Sequence, residues 1–184
     1  MIILYIIWES HPSRRPSHQF LGWRRCGIPT FPGQLVRLNE IEAAAHALGK
    51  ILRPIEVERP EAITNAFSVL TKARPDALLV LTHPLYYRHQ REIIDFTAEQ
   101  RLPAIYFTRE FVDAGGLISY GPSQKWLYRR EAEYVDKIFR GARPGELPME
   151  QPSVFELVIS LKTAKALGLV IPPSLLASAD EVIE

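Results

Sequence analysis

Three short stretches carry side chains whose types and spacing suit contact with a small ligand. The first is Thr82-His83-Pro84-Leu85-Tyr86-Tyr87, where the apolar run from Asp76 to Thr82 gives way to a helix-forming segment. A hydroxyl, an imidazole and a phenol follow one another there, at the kind of strand end where open α/β sheets bind ligands. An ordinary strand-to-helix turn, with Pro84 stopping the strand and His83 solvated, fits the same residues. The second is Tyr106-Phe107-Thr108-Arg109-Glu110, again after a short apolar run. Arg109 could hold a ligand carboxylate through its planar fork, or pair with Glu110 or another neighbour. The third is Gly115-Gly116 leading into Ser119-Tyr120-Gly121. Two glycines permit close approach of the backbone to a ligand, or simply a tight turn.

Chemistry beyond binding finds no matching constellation. There is no GxxxxGK[ST] phosphate loop and no GxSxG nucleophile elbow. His83 and His89 are six positions apart, which on a helix separates their faces, and Pro12 and Pro16 keep His11 and His18 off a shared helix. A metal site is therefore not expected. The single cysteine, Cys26, excludes an internal disulfide framework and a multi-cysteine metal site, and reads as an inert thiol. No catalytic residues, metal or cofactor are expected. Trp126, Tyr134 and Phe139 read as core packing or helix-end contacts rather than a cofactor box.

The elements that must position these residues alternate in type. Met1–Trp8 reads as a short buried strand, too short for a membrane helix and without the basic start or cleavage site of an export signal. Residues 9–33, with prolines 12, 16, 29 and 32 and the pairs Arg14-Arg15 and Arg24-Arg25, have no helical or strand period and read as irregular. Gln34–Leu48 is an amphipathic helix with Leu35, Leu38, Ile41, Ala44, Ala45 and Leu48 on one face, closed by Gly49. Strands follow at 51–57, 76–82, 103–107, 117–120 and 154–160. Helices follow at 60–73, 86–100, 109–114, 123–140, 161–167 and 172–177. The run at 76–82 suits a strand buried on both faces. Such alternation predicts an α/β layered sheet, mainly parallel.

Composition narrows the function classes. The chain has 184 residues, 47% hydrophobic and 23% charged, which is enough to bury a sizeable core. Its formal net charge of +1 lacks the field that binders of nucleic acid or anionic membranes carry. Two arginine pairs without a basic face elsewhere do not make a nucleic-acid arm.

Linked motifs then resemble a known family. Arg101-Leu-Pro-Ala-Ile-Tyr106 and Arg109-Glu-Phe-Val-Asp-Ala-Gly-Gly-Leu-Ile-Ser-Tyr-Gly-Pro-Ser123 come first. Gly141-Ala-Arg-Pro-Gly-Glu-Leu-Pro148, Glu150-Gln-Pro152 and Phe155 to Gly168 follow in order, and Ile171 to Val182 closes the chain. Together they resemble the ABC transporter substrate-binding protein family, whose better-known members bind tryptophan and other aromatic amino acids. The resemblance runs over about residues 35–184.

That resemblance implies a periplasmic-binding-protein-like fold of type I, with two α/β lobes closing on a solute in the cleft between them. It implies a solute-binding component that performs no chemistry, working with ABC permease and ATPase subunits. Thr82, His83, Tyr86, Arg109 and Tyr120 are the implied ligand-binding residues, with Gly115 and Gly116 allowing close approach of the chain. Residues 34–107 are expected to form a second-lobe portion, 108–150 a partial first lobe, and 151–184 the hinge return. Residues 1–33 match nothing in the family, and the first lobe is expected to be incomplete. The resemblance places the protein in the periplasm; without an export signal, the chain as written is expected in the cytoplasm. Two other readings are a ligand-sensing domain of a regulator and a non-functional truncated remnant. An α/β enzyme ranks below both.

Overall fold

In the computed structural model, which describes residues 3–9, 32–57 and 59–184, the expected strand–helix alternation is present, and the protein is α/β. The chain divides into two compact units, Met1–Ile105 and Tyr106–Glu184. Residues 10–31, with His11, His18, both arginine pairs and Cys26, lie outside the described residues, as does most of the segment expected to be irregular.

The strand order in the first unit is β2-β1-β3-β4. The N-terminal apolar run forms β1 (Ile3–Glu9), antiparallel both to β2 (Lys50–Glu56) and to β3 (Ala77–Val80), with Ile7 opposite Leu52 and Ala77. The sheet is therefore mixed in sense. Helix α1 (Pro32–Ala47) stops one residue before the expected end, and Gly49 turns the chain at φ 64°, a left-handed conformation that glycine adopts without cost. Leu48, expected on the apolar face, falls in that turn and is 75% exposed.

Helix α2 (Pro60–Ala73) begins on proline, whose fixed φ suits a first turn. It buries Ile63, Ala66 and Leu70, three positions along one helical stripe. Along β3 only Leu78 and Val80 are buried, and Ala77 and Leu79 are half-buried, so this strand is not buried on both faces as expected. The helix expected over 86–100 is two helices, α3 (Pro84–Arg88) and α4 (Gln90–Glu99). His89 separates them because its φ of −106° and ψ of 20° leave the helical region. Helix α4 buries Ile93, Ile94 and Phe96, and the Phe96 ring stacks on Phe67 at 4.2 Å between centroids. The strand β4 (Ala104–Tyr106) completes the run.

In the second unit the order is β5-β6-β7. Strand β5 (Ile118–Pro122) is antiparallel to β6 (Phe155–Ser160), and β6 is parallel to β7 (Glu181–Ile183). Strand β7 is absent from the sequence-based expectation, because three residues are too few to show a period. Helix α5 (Arg109–Asp113) contributes Phe111 and Val112 to a core shared with Tyr106, Leu117, Val158 and Ile159. Helix α7 (Leu161–Leu167) is capped by Ser160, which accepts from the Thr163 N–H at 3.1 Å, and closed by Gly168 at φ 74°. The short α8 (Pro173–Ala177) precedes β7.

Helix α6 (Gln124–Phe139) starts at the expected cap, Ser123, and ends before Gly141 at φ 99°. It buries none of its residues. Trp126, Tyr134 and Phe139 are therefore not core residues: Phe139 is 86% exposed, and Tyr134 donates to the Pro148 carbonyl at 2.6 Å. Spacing predicts an apolar stripe, but only a second layer can bury it, and the connector at Pro148 and Glu150 covers the side of Arg130 and Tyr134 only in part. No helix among the described residues is long and apolar enough to cross a membrane.

Candidate functional site

Thr82, His83 and Tyr86 belong to the first unit, beyond the carboxyl end of β3. Thr82 is exposed. His83 is extended (φ −156°, ψ 143°) and its Nδ1 accepts from the Leu85 N–H at 3.1 Å, which caps α3. An accepting Nδ1 places the neutral ring's proton on Nε2. Burial holds the His83 pKa below its ordinary value, so the neutral ring is favoured. Tyr86 is 1% exposed and meets the His83 ring edge-on at 6.1 Å. Its ring supports the imidazole from within the core.

Arg109, Gly115, Gly116 and Tyr120 belong to the second unit. Arg109 opens α5 directly after the Thr108 cap position, and its guanidinium is held from two sides. Nε and Nη2 donate to the Asp113 carboxylate at 3.3 and 3.4 Å, and Nη1 and Nη2 donate to Glu181 at 3.1 and 3.3 Å. Glu156 lies at 3.9 Å, and its other oxygen accepts from the Ser123 hydroxyl. Hydrogen bonds to Asp113 and then Glu181 raise the Arg109 pKa, fixing its charge. Of the two pairings open in the sequence, the protein uses neighbours other than Glu110.

The glycine pair turns the chain out of α5. Gly115 has φ 111°, and its carbonyl accepts from the Thr163 hydroxyl at 3.0 Å. A Cβ on Gly116 would stand 2.7 Å from both the Phe111 carbonyl oxygen and the Tyr106 ring. Close packing of protein against protein thus explains the second glycine. Further on, Gly121 lies so near the Phe107 carbonyl that a Cβ would fall 1.8 Å from its oxygen. Tyr120 projects from β5 at 53% exposure and stacks on Phe155 at 5.8 Å.

Several groups at these strand ends escape a reading of the sequence. Thr108 Oγ1, Ser119 Oγ and Glu110 Oε2 are buried without a hydrogen-bond partner among the described residues, each a cost of roughly 1–3 kcal/mol. The Arg109–Asp113 pair could be read from its four-residue helical spacing. Glu181 could not, being 72 positions away. A separate open cleft of about 290 Å³ lies between α6 and the following connector, lined by Trp126, Arg129, Arg130, Glu133, Glu150 and Ser153. In it Arg130 is clamped by Glu133 and by Glu150, the latter through Nε at 2.6 Å and Nη2 at 2.5 Å.

Residues 29–183 match the family described as ABC transporter substrate binding protein. No curated protein matches the sequence. Among solved structures, the chain is similar to an ABC domain in complex with L-Trp from Streptococcus pneumoniae, at 24% identity and a TM-score of 0.70. That match covers 82% of this chain and 50% of the other. A conserved domain protein from Vibrio cholerae matches at 23% identity and TM-score 0.68, over 82% of this chain and 52% of its own. A ligand-free, open substrate-binding protein with adhesive properties from Clostridium difficile matches at 18% identity and TM-score 0.54, over 84% of this chain and 51% of its own. The chain thus spans about half the length of these structures, and at such identities the likeness speaks for the fold, that of periplasmic-binding-protein-like substrate-binding proteins. With its α/β units and a family match over more than half its length, the chain belongs to the ABC transporter substrate-binding protein family.

Proposed function

We propose that the protein binds a small organic solute, an amino acid in the first instance, and serves an ABC-type importer by presenting that solute to its permease. The observation that carries this reading is the family match over residues 29–183. Proteins of this family typically work in the periplasm or outside the cell, and solute capture by this chain is assigned there.

The solute would be met by residues at the strand ends. Thr82 and the Nε2–H of His83 offer polar contacts, and Tyr120 offers an aromatic face for stacking. Arg109 would hold a carboxylate in competition with Asp113 and Glu181. Tyr86, Gly115 and Gly116 would shape the site from behind. The L-Trp named with the Streptococcus pneumoniae domain makes aromatic amino acids the first solutes to try.

The test is thermal unfolding of the 184-residue chain with a panel of amino acids and small organic acids. A solute bound only by the folded state at about 100 times its Kd adds about 2.7 kcal/mol, roughly 5–10 °C in Tm for a chain this size. A cooperative transition that no member of the panel moves would overturn the reading.

A further inference from the structure

We propose that the cleft between α6 and the connector after it is a second ligand site, for a small planar molecule carrying one carboxylate. None of Thr82, His83, Arg109 or Tyr120 lines it, so it is separate from the strand-end residues. One stripe of α6 forms its floor: Trp126, Arg129, Arg130 and Glu133 follow the spacing of a single helix face. Glu150 and Ser153 of the connector form the facing wall. Three tethers hold that wall against the helix. The Ser123 N–H donates to the Val154 carbonyl at 2.9 Å, Arg130 Nε to Glu150 at 2.6 Å, and the Tyr134 hydroxyl to the Pro148 carbonyl at 2.6 Å. The cleft therefore stands formed before a ligand arrives, which lowers the ordering cost of binding.

The charges around the cleft select the ligand. Glu133 and Glu150 both accept from Arg130, and Lys137 adds its attraction to Glu150. Two carboxylates are thus answered by two cations. Arg129 lines the same cleft and makes no hydrogen bond or ion pair among the described residues. Lys125, about one turn earlier, makes none among them either. The unmatched charge is positive, and a planar guanidinium with its donors open suits a carboxylate held by two parallel hydrogen bonds. Trp126, half-buried on the same stripe, supplies a flat face for an aromatic or other planar group. The Ser153 hydroxyl adds a polar contact at the exposed rim. The volume of about 290 Å³ lies at the small end of ligand pockets, which span about 300–1,000 Å³. A compact ligand follows.

Calorimetry of the full chain tests this with benzoate, a minimal aryl carboxylate, and with benzamide, its uncharged analogue. Benzoate is expected to saturate one site with a Kd below about 5 mM, and benzamide to bind about tenfold more weakly or less. Arg129→Gln is expected to weaken benzoate about tenfold, and Arg129→Lys by less, since it keeps the charge and loses the fork. Trp126→Leu is expected to weaken it about 3- to 10-fold. Arg129 is exposed, so the Tm of its variants is expected to match the parent. A benzoate Kd above about 5 mM, benzamide bound as tightly as benzoate, or parental affinity in Arg129→Gln or Trp126→Leu would each overturn the proposal. Benzoate binding lost in Arg109→Ala and kept in Arg129→Gln would assign it to the strand ends instead.

Discussion

Arg109 and Glu181 are joined by two hydrogen bonds, Nη1 to Oε2 at 3.1 Å and Nη2 to Oε1 at 3.3 Å, although 72 residues separate them. The pair ties the start of α5 to the start of β7 in the second unit. Asp113 holds the same guanidinium from within α5, so one cation is shared by two carboxylates, with a third, Glu156, close by. Removal of the cation leaves three like charges facing one another.

Arg109→Ala is expected to lower stability by about 1 kcal/mol, and Tm by roughly 2–4 °C, with a smaller loss at high salt because the pair is partly exposed. Glu181→Gln separates the structural role from the ligand role. A solute carboxylate gripped by Arg109 would bind more tightly to Glu181→Gln and more weakly to Arg109→Ala. Equal affinity in both variants, read by calorimetry, would remove Arg109 from the site.

Tyr120→Ala is expected to weaken solute binding about 3- to 10-fold, the worth of one aromatic stacking contact. The Tm of the free chain should hold, because Tyr120 is half exposed. A fall in Tm with unchanged affinity would make Tyr120 a structural partner of Phe155 instead.

Gly121→Ala should be more damaging than Gly116→Ala. The added methyl would stand 1.8 Å from a backbone oxygen at position 121 and 2.7 Å from its nearest neighbours at position 116. Overpacking costs typically about 1–3 kcal/mol, and position 121 is expected at or above the top of that range. Denaturant midpoints of the two variants give the order directly.

His83→Ala is expected to cost about 1 kcal/mol through loss of the α3 cap, whereas His83→Asn keeps an accepting side chain and should cost less. Burial holds the folded-state pKa of His83 below its unfolded value. Its contribution is therefore complete above about pH 6.5 and is lost as the pH falls through the folded-state value. The difference in Tm between the parent and His83→Asn should shift in the variant's favour on acidification below pH 6.5. A difference independent of pH there would contradict the assignment.

Glu150 follows the carboxylate case. The Arg130 hydrogen bonds hold its pKa below the ordinary range, so the clasp contributes above about pH 4.3 and is lost as the pH falls through the depressed value. The Tm advantage of the parent over Glu150→Gln, measured from pH 6 to pH 3, should shrink towards zero at the acid end.

Much of this protein is legible one segment at a time. Pro60 opening α2, Ser123 capping α6, Gly49, Gly141 and Gly168 turning the chain with positive φ, and the whole of α7 all follow from rules that act within a few residues. The α/β class follows from their alternation, and the family from linked motifs along the chain. What the tertiary structure decided concerns partners distant in sequence. The antiparallel sense of β1 between β2 and β3, the existence of β7 and the capture of Arg109 by Glu181 depend on strand pairing across long loops. Local composition does not encode such pairing. The stripe of α6 marks the same boundary: its spacing, visible in the sequence, says that it can be buried, but burial is a property of a second surface. Only the folded chain reveals that, among its described residues, no surface buries any residue of this helix completely.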